Sequence, residues 1–394
     1  MLNTRCPNSL ATVIVMFITA VASGVVFAES RPPPLTDDMS LSQKIEATRA
    51  HLGAPGVVVA VYRDGEALID NAFGVASRET GEAMTTGHHF RVASIAKPVI
   101  ATILLQLVDE GKVSLDDPID RYVKNVPAGD RITLRMLAQH TSGLRNYVAI
   151  PDVRKAFGED VRREWSVEEL LGLAYDFGPH FKPEDDGWMY SNTNYLLLGE
   201  VIERIDGKPL AESVSLRVCE PLGLTATRYT TDPSMPSPAT RGYQMGDDKG
   251  PRFWVGEGET HWDVTDASPT MWHAAGAMVS TLDDVRRLTE AVASGELLSG
   301  SSHAEQMTWR NTFYPVDYRY GLGVVNYMGT IGHSGFVPGF QVTASHEPEM
   351  GVTVVVLANL YSSHNYEDPA NAIFFVIMRH LTGKSYAPPG WEGW

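Results

Sequence analysis

Strand signals crowd the two ends of this chain and leave a long, mostly helical stretch between them. Gly56–Tyr62 and Ala67–Phe73 are apolar and rich in β-branched residues on either side of Arg63-Asp64-Gly65-Glu66, and Asp-Gly is a strong hairpin signal. Strand character returns at Tyr320–Tyr327 and in a second hairpin, Phe340–His346 with Gly351–Asn359. A helix from about Ser40 to Leu52 precedes the first hairpin, and another follows the second, from Asp368 as cap and Pro369 at its first position to about Leu381. The chain ends therefore complete one sheet. The expected fold is α+β, an α/β sandwich: a mostly antiparallel sheet flanked by terminal helices, with a large helical lobe inserted between its second and third strands.

Within the insert, helical patterns run over Ser94–Glu110, stopped by Gly111, and over Thr133–Gln139, Ser166–Tyr175, Asn194–Ile205 and Thr281–Ala293. Ser166 with Glu169, and Thr281 with Asp284, have capping-box spacing. Residues 232–270, rich in Pro, Gly and Asp, read as a long surface excursion near the site. The expected division is a signal peptide over 1–28, a Pro-rich spacer over 29–39 and one domain over 40–386. Its sheet lobe comprises 40–93 and 320–386, and its helical lobe 94–319.

The leader expectation rests on Arg5, an apolar stretch from Leu10 to Val26 and a small-residue ending at Ala28. An uncleaved anchor is the alternative, since Ser9 to Ala28 is long enough to cross a bilayer. Cleavage predicts an exported, secreted or periplasmic protein with no stable membrane association. It also removes Cys6, leaving Cys219 as a buried filler with no internal disulfide. The net charge of −16 becomes −17 when Arg5 is lost, from 31 basic against 48 acidic side chains, which argues against a nucleic-acid partner.

Three short motifs carry chemistry. Ser94-Ile95-Ala96-Lys97 opens a helix, so hydroxyl and amine share one face. Tyr190-Ser191-Asn192 offers a phenol and an amide, and Gly332-His333-Ser334-Gly335 precedes a hairpin along which an extended substrate could lie. Each alone also suits an ordinary capped turn or strand lead-in. In this order they point to a serine hydrolase that forms an acyl-enzyme.

With these motifs the chain resembles the serine β-lactamase and penicillin-binding-protein superfamily, in the branch of class C β-lactamases, D-Ala-D-Ala carboxypeptidases and related esterases. The resemblance runs from about Leu41 to Leu381 and includes Glu110–Pro118, His140-Thr141-Ser142-Gly143-Leu144, Tyr190–Tyr195 into Leu198-Gly199, and Ala274-Ala275-Gly276. It implies that Ser94 is the acylated nucleophile, that Lys97 accepts its proton and that Tyr190 passes a proton to the leaving group. Asn192 would bond both substrate and Lys97, the backbone amides of Ser94 and Phe336 would form an oxyanion hole, and His333, Ser334 and Gly335 would bind substrate. Neither a metal nor an organic cofactor is required; the partner is a small molecule or peptide with a scissile amide or ester.

β-Lactamases have Lys-Thr-Gly where this chain has His333-Ser334-Gly335, so recognition of a free carboxylate would fall to a protonated His333, or to Arg319 or Arg145. The expected order of activities is D-alanyl-D-alanine carboxypeptidase-like, then esterase, then β-lactamase or a penicillin-binding sensor that does not turn over. Tyr147, Trp188, Trp262, Trp272, Phe313 and Tyr318 are candidates to border the cleft. No Gly-x-Ser-x-Gly supports an α/β-hydrolase, and His88-His89, His261 and His273 lack metal-ligand spacing.

Overall fold

The computed structural model describes residues 35–251, 253, 260–314, 316–361 and 368–388; the expected leader, 1–28, and residues 29–34 of the spacer lie outside them. Helix α1 (Leu41–His51) begins with a complete capping box: Ser40 Oγ accepts from the Gln43 amide, and Gln43 Oε1 accepts from the Ser40 amide. Strands β1 (Gly56–Arg63) and β2 (Glu66–Gly74) follow, joined where Asp64 and Gly65 both take positive φ, as the Asp-Gly signal requires.

The chain leaves the sheet for its helical insert and returns through β3 (Arg310–Asn311), β4 (Tyr318–Tyr320), β5 (Val325–Tyr327), β6 (Thr330–Val337), β7 (Phe340–Glu347) and β8 (Val352–Ala358). The sheet is antiparallel throughout, in the order β2-β1-β8-β7-β6-β5-β4-β3. First and last strands pair with each other, second and third from one edge, where Val57 pairs with Ala358 and Arg63 with Val352.

Both faces of β1 are buried, for different reasons. Val57, Val59 and Val61 pack with Ile45 of α1 and with Ile373 and Ile377 of the closing helix, which runs over Pro369–Thr382. Val58 and Ala60 join the apolar core of the helical lobe, to which helix α2 (Ala96–Asp109) contributes Ile100 and Leu104 and the helix Leu282–Ser294, packed on β1, contributes Val285. A continuous apolar run, rather than an alternating one, is what a strand covered on both sides needs.

Three expectations need correction. The sheet resumes at Arg310 rather than Tyr320, because two-residue and three-residue edge strands are too short to carry a period. Gly332–Gly335 is the middle of an eight-residue strand, not a lead-in; two glycines dilute its strand propensity. Thr281 makes no side-chain cap, since Asp284 is turned to the Ala226 amide and the Thr227 hydroxyl, each at 2.8 Å.

The described part of 232–270 is more than a surface excursion. Tyr243–Asp247 pairs in parallel with Leu360–Tyr361 and antiparallel with Thr260–Asp263, and Tyr243 is fully buried. Cys219 is free and buried, as expected. Among the described residues no helix is long and apolar enough to cross a membrane.

Candidate active site

The nucleophile candidate is placed by a strained turn. Phe90–Arg91 pairs with Val279–Ser280, then Ala93 adopts φ 50, a left-handed conformation rare for a residue with a Cβ. A short 3-10 turn, Ala93–Ile95, leads into α2, so Ser94 sits just ahead of the helix and Lys97 is the second residue of its first turn.

Lys97 Nζ is 3.0 Å from Ser94 Oγ and 2.7 Å from the Ala275 carbonyl oxygen. The side chain is fully buried, and burial pushes its pKa well below the usual lysine value. The ring faces of Tyr190 and Tyr195, 4.9 and 5.3 Å from Nζ, favour a cation, but by only about 1–2 kcal/mol. Burying an ammonium without a carboxylate costs more, so the neutral amine prevails. It donates to Ala275 and keeps its lone pair for the Ser94 hydroxyl.

Tyr190 Oη lies 3.0 Å from Ser94 Oγ on the other side. Burial raises its pKa well above normal, so the phenol stays protonated and donates to Ser94 Oγ. Ser94 therefore accepts from Tyr190 and donates to Lys97, an arrangement primed to move one proton from hydroxyl to amine.

Asn192 opens helix α3 (Asn192–Asp206). Its amide and its Nδ2 both donate to Asn146 Oδ1, at 3.2 and 3.4 Å, whereas Lys97 turns to Ala275. The expected Asn192–Lys97 bond is thus replaced: a backbone carbonyl with no sequence signature takes the amine.

Strand β6 forms the opposite wall. A Cβ built on Gly335 would stand 2.6 Å from the Ser94 nitrogen and 2.9 Å from Ala93 Cβ, so only glycine lets the strand pass this close. β5 pairs with β6 no further than Gly332, which leaves the edge of residues 333–337 open. The two-residue turn after Val337 makes Val337–Phe340 a hydrogen-bonded pair, so by alternation the Phe336 N–H points away from β7 to that open edge. This is where an oxyanion donor or an added substrate strand belongs.

His333 and Ser334 part company. His333 faces the cleft beside Tyr190, with ring centroids 6.3 Å apart, whereas Ser334 pairs across the ladder with Thr343, whose hydroxyl bonds Asn371, and so shares the face under the closing helix. Successive strand residues point to opposite faces, so the structure does not bring the Ser334 hydroxyl to Ser94.

His333 is buried, and that burial lowers its pKa to about 3. Its Nδ1 abuts the Ser334 carbonyl oxygen and therefore carries the hydrogen; Nε2, 3.1 Å from Tyr320 Oη, accepts from that phenol. The ring is neutral with both nitrogens engaged. Neither arginine substitutes for it: Arg319 is held by Asp317 and Asn326, and Arg145 binds the Gly178 and Pro179 carbonyls and His180.

Three of the six candidate cleft aromatics, Trp188, Phe313 and Tyr318, join Tyr314 and Tyr320 in a cluster beside Tyr190. Trp272 borders an apolar recess with Phe157, Phe253, Phe336 and Tyr361. Tyr147 is fully buried with its hydroxyl on the Met271 carbonyl, and Trp262 donates to Asp247 in the small sheet. Sequence reasoning missed Ala275, Asn146 and Tyr320 as partners of the site. Of these only Ala275 lay in a quoted motif, Ala274-Ala275-Gly276, and that motif gives its backbone carbonyl no role. His261 and His273 bind separate carbonyls, those of Gly53 and Trp165, and no three potential metal ligands come together among the described residues.

Comparison with known proteins agrees with this geometry. The sequence model of the Beta-lactamase family matches residues 41–375. The fold is shared with a D-stereospecific amidohydrolase from Streptomyces sp., at 29% identity and a TM-score of 0.74 over 88% of this chain and 98% of that one. A D-aminopeptidase of Cereibacter sphaeroides is 24% identical over 90% of this chain, which spans 66% of that longer relative. The esterase EstB of Burkholderia gladioli is 35% identical over 43% of this chain and 45% of its own length.

Proposed function

The chain belongs to the β-lactamase family, and from that premise we propose that it hydrolyses amide or ester substrates with no carboxylate beside the scissile bond, through an acyl-enzyme on Ser94. The observation that carries the reading is one hydroxyl oxygen at 3.0 Å from both a buried amine and a buried phenol. Lys97 takes the Ser94 proton as Oγ bonds to the substrate carbonyl carbon. The carbonyl oxygen gathers negative charge between the Ser94 and Phe336 amides, and such donors contribute about 3–4 kcal/mol each in related chemistry. As the bond to the leaving nitrogen or oxygen breaks, a proton reaches that atom through Tyr190. Water then repeats the sequence in reverse, with Ser94 as leaving group.

Among the described residues no charged side chain is free to hold a substrate carboxylate beside Ser94, and this narrows the substrate. A D-alanyl-D-alanine carboxypeptidase or β-lactamase holds a carboxylate beside the scissile bond; here His333 is neutral and its donor is committed to the Ser334 carbonyl. This favours esters and amides without that carboxylate, in keeping with relatives named esterase, D-aminopeptidase and amidohydrolase. Intact mass spectrometry with a short-chain p-nitrophenyl ester, a D-amino-acid amide and penicillin tests both parts. Turnover of the ester or amide that disappears in Ser94→Ala, with little penicilloyl adduct, is expected. Rapid penicilloyl labelling with D-Ala release from a D-Ala-D-Ala peptide would return the assignment to a carboxypeptidase.

A further inference from the structure

His140-Thr141-Ser142-Gly143-Leu144 is unused by the chemistry above, yet the structure lays this segment directly along the one that bears Tyr190. The His140 carbonyl accepts from the Met189 amide at 3.0 Å, and His140 Nδ1 accepts from the Ser191 amide at 3.2 Å. One residue thus grips the chain immediately before and immediately after the catalytic phenol. The imidazole also lies 4.3 Å from the Tyr190 ring, centroid to centroid, and packs against Tyr195 and Tyr320 on its other sides.

The grip is itself supported. Asn194 Nδ2 donates to the same Nδ1 at 3.2 Å, and Asn194 Oδ1 accepts from the Ser142 hydroxyl at 2.7 Å, which fixes the amide's orientation. Further along, the Asn192 amide reaches Asn146, Thr193 Oγ1 donates to the Arg145 carbonyl, and the Tyr147 amide donates back to Thr193. His140 holds φ 63, a left-handed conformation that a residue with a Cβ adopts only where its surroundings enforce it. That twist lets carbonyl and side chain of one residue face the same neighbouring strand of chain.

We propose that His140 is a positioning residue for Tyr190, clamping the tyrosine by its two flanking amides so that its hydroxyl stays within reach of Ser94. The inference rests on the acyl-enzyme reading, in which Tyr190 moves a proton. Its physical basis is that catalytic groups displaced by about 1 Å lose on the order of a hundredfold in rate. Nδ1 acts as an acceptor, so the neutral ring carries its hydrogen on Nε2, which is buried with no hydrogen-bond partner among the described residues. An ordinary buried histidine would share the burial, but its removal would not act selectively through Tyr190.

The test is a double-mutant cycle read by the p-nitrophenol burst at saturating ester. His140→Ala is expected to slow acylation about tenfold to a hundredfold, with KM changed by less than about threefold. His140→Asn, whose Oδ1 can stand near the Nδ1 position and which tolerates positive φ, is expected to recover most of the rate. In a Tyr190→Phe background, His140→Ala should add almost nothing. Equal slowing in both backgrounds, or a wild-type rate for His140→Ala, overturns the proposal. If His140→Ala does not fold, His140→Gln keeps bulk while moving the acceptor outward, and the same comparison applies. A wild-type rate for Tyr190→Phe alone would sink the acyl-enzyme reading of Tyr190 and the clamp with it. A slow Tyr190→Phe beside an unaffected His140→Ala sinks only the clamp.

Discussion

Lys97 and His333 face each other across the site, both buried and both held neutral by burial, yet they end in opposite conditions. The amine has one carbonyl to satisfy, Ala275, and keeps a lone pair facing Ser94. The imidazole has a carbonyl on one nitrogen and a phenol on the other, and nothing left to offer a ligand. Lowered pKa values therefore do not distinguish a working group from a wall. Unspent hydrogen-bonding capacity does.

The largest expected effect comes from removing the spare lone pair. Lys97→Met should slow acylation by about a thousandfold, within the usual range for a positioned general base. A fall of less than tenfold in the ester burst would mean that Ser94 finds its base elsewhere and that the two walls do not differ as described. The pH profile sharpens the point, because the pKa of Lys97 is depressed in the folded protein. The active neutral amine exists above that lowered pKa, so kcat/KM should rise with pH along a limb lying well below the lysine range. An ascending limb centred near 10 would contradict a buried neutral amine.

Gly335→Ala attacks the other wall without touching a titrating group. Its Cβ would meet the Ser94 nitrogen at 2.6 Å, and that contact is backbone, which cannot swing aside. The strand must retreat and take the Phe336 amide with it, so ester turnover should fall about a hundredfold, the cost of misaligning one oxyanion donor. Activity within threefold of wild type would show that the Phe336 amide is not part of the hole.

His333→Lys reverses the comparison instead of breaking it. A lysine has no ring nitrogen for Tyr320 and three donors that can turn to the open strand edge, so penicillin acylation should rise at least about tenfold while ester turnover changes less. No gain in the rate of adduct formation would show that carboxylate recognition is missing for another reason.

Sequence pattern carried β1 and β8, since Gly56–Arg63 and Val352–Ala358 are runs rich in β-branched residues, and it carried the capped helix starts at Ser166 and Asp368 because caps are local. It lost β3 and β4, whose pairing is decided by neighbours on the sheet edge, and it gave Thr281 a bond that Asp284 makes elsewhere. In the site, Ser94, Lys97 and Tyr190 were legible because their chemistry is tied to residue type and spacing. The Ala275 carbonyl was not, being a backbone atom brought close by the insert. The turning of Ser334 to the far face was legible in principle from strand alternation, but only once Gly332–Gly335 is known to be strand.

The smallest effect on activity should come from His333→Gln, and it separates the wall from the working group thermodynamically. His333 titrates near 3 in the folded protein against about 6.5 in an unfolded chain, so between those values the unfolded state holds more protons. Stability must then fall as pH drops from about 6.5 towards 3, by up to about 1.4 kcal/mol per pH unit from this one ring. Glutamine cannot take up that proton. His333→Gln should therefore make urea-unfolding stability less steep in pH between 6.5 and 5, by up to one proton, while ester kcat/KM stays within about fivefold of wild type. An unchanged slope would mean that the ring is charged or solvated in the folded protein. It would then have a donor to give a carboxylate, and the contrast with Lys97 would fail at its root.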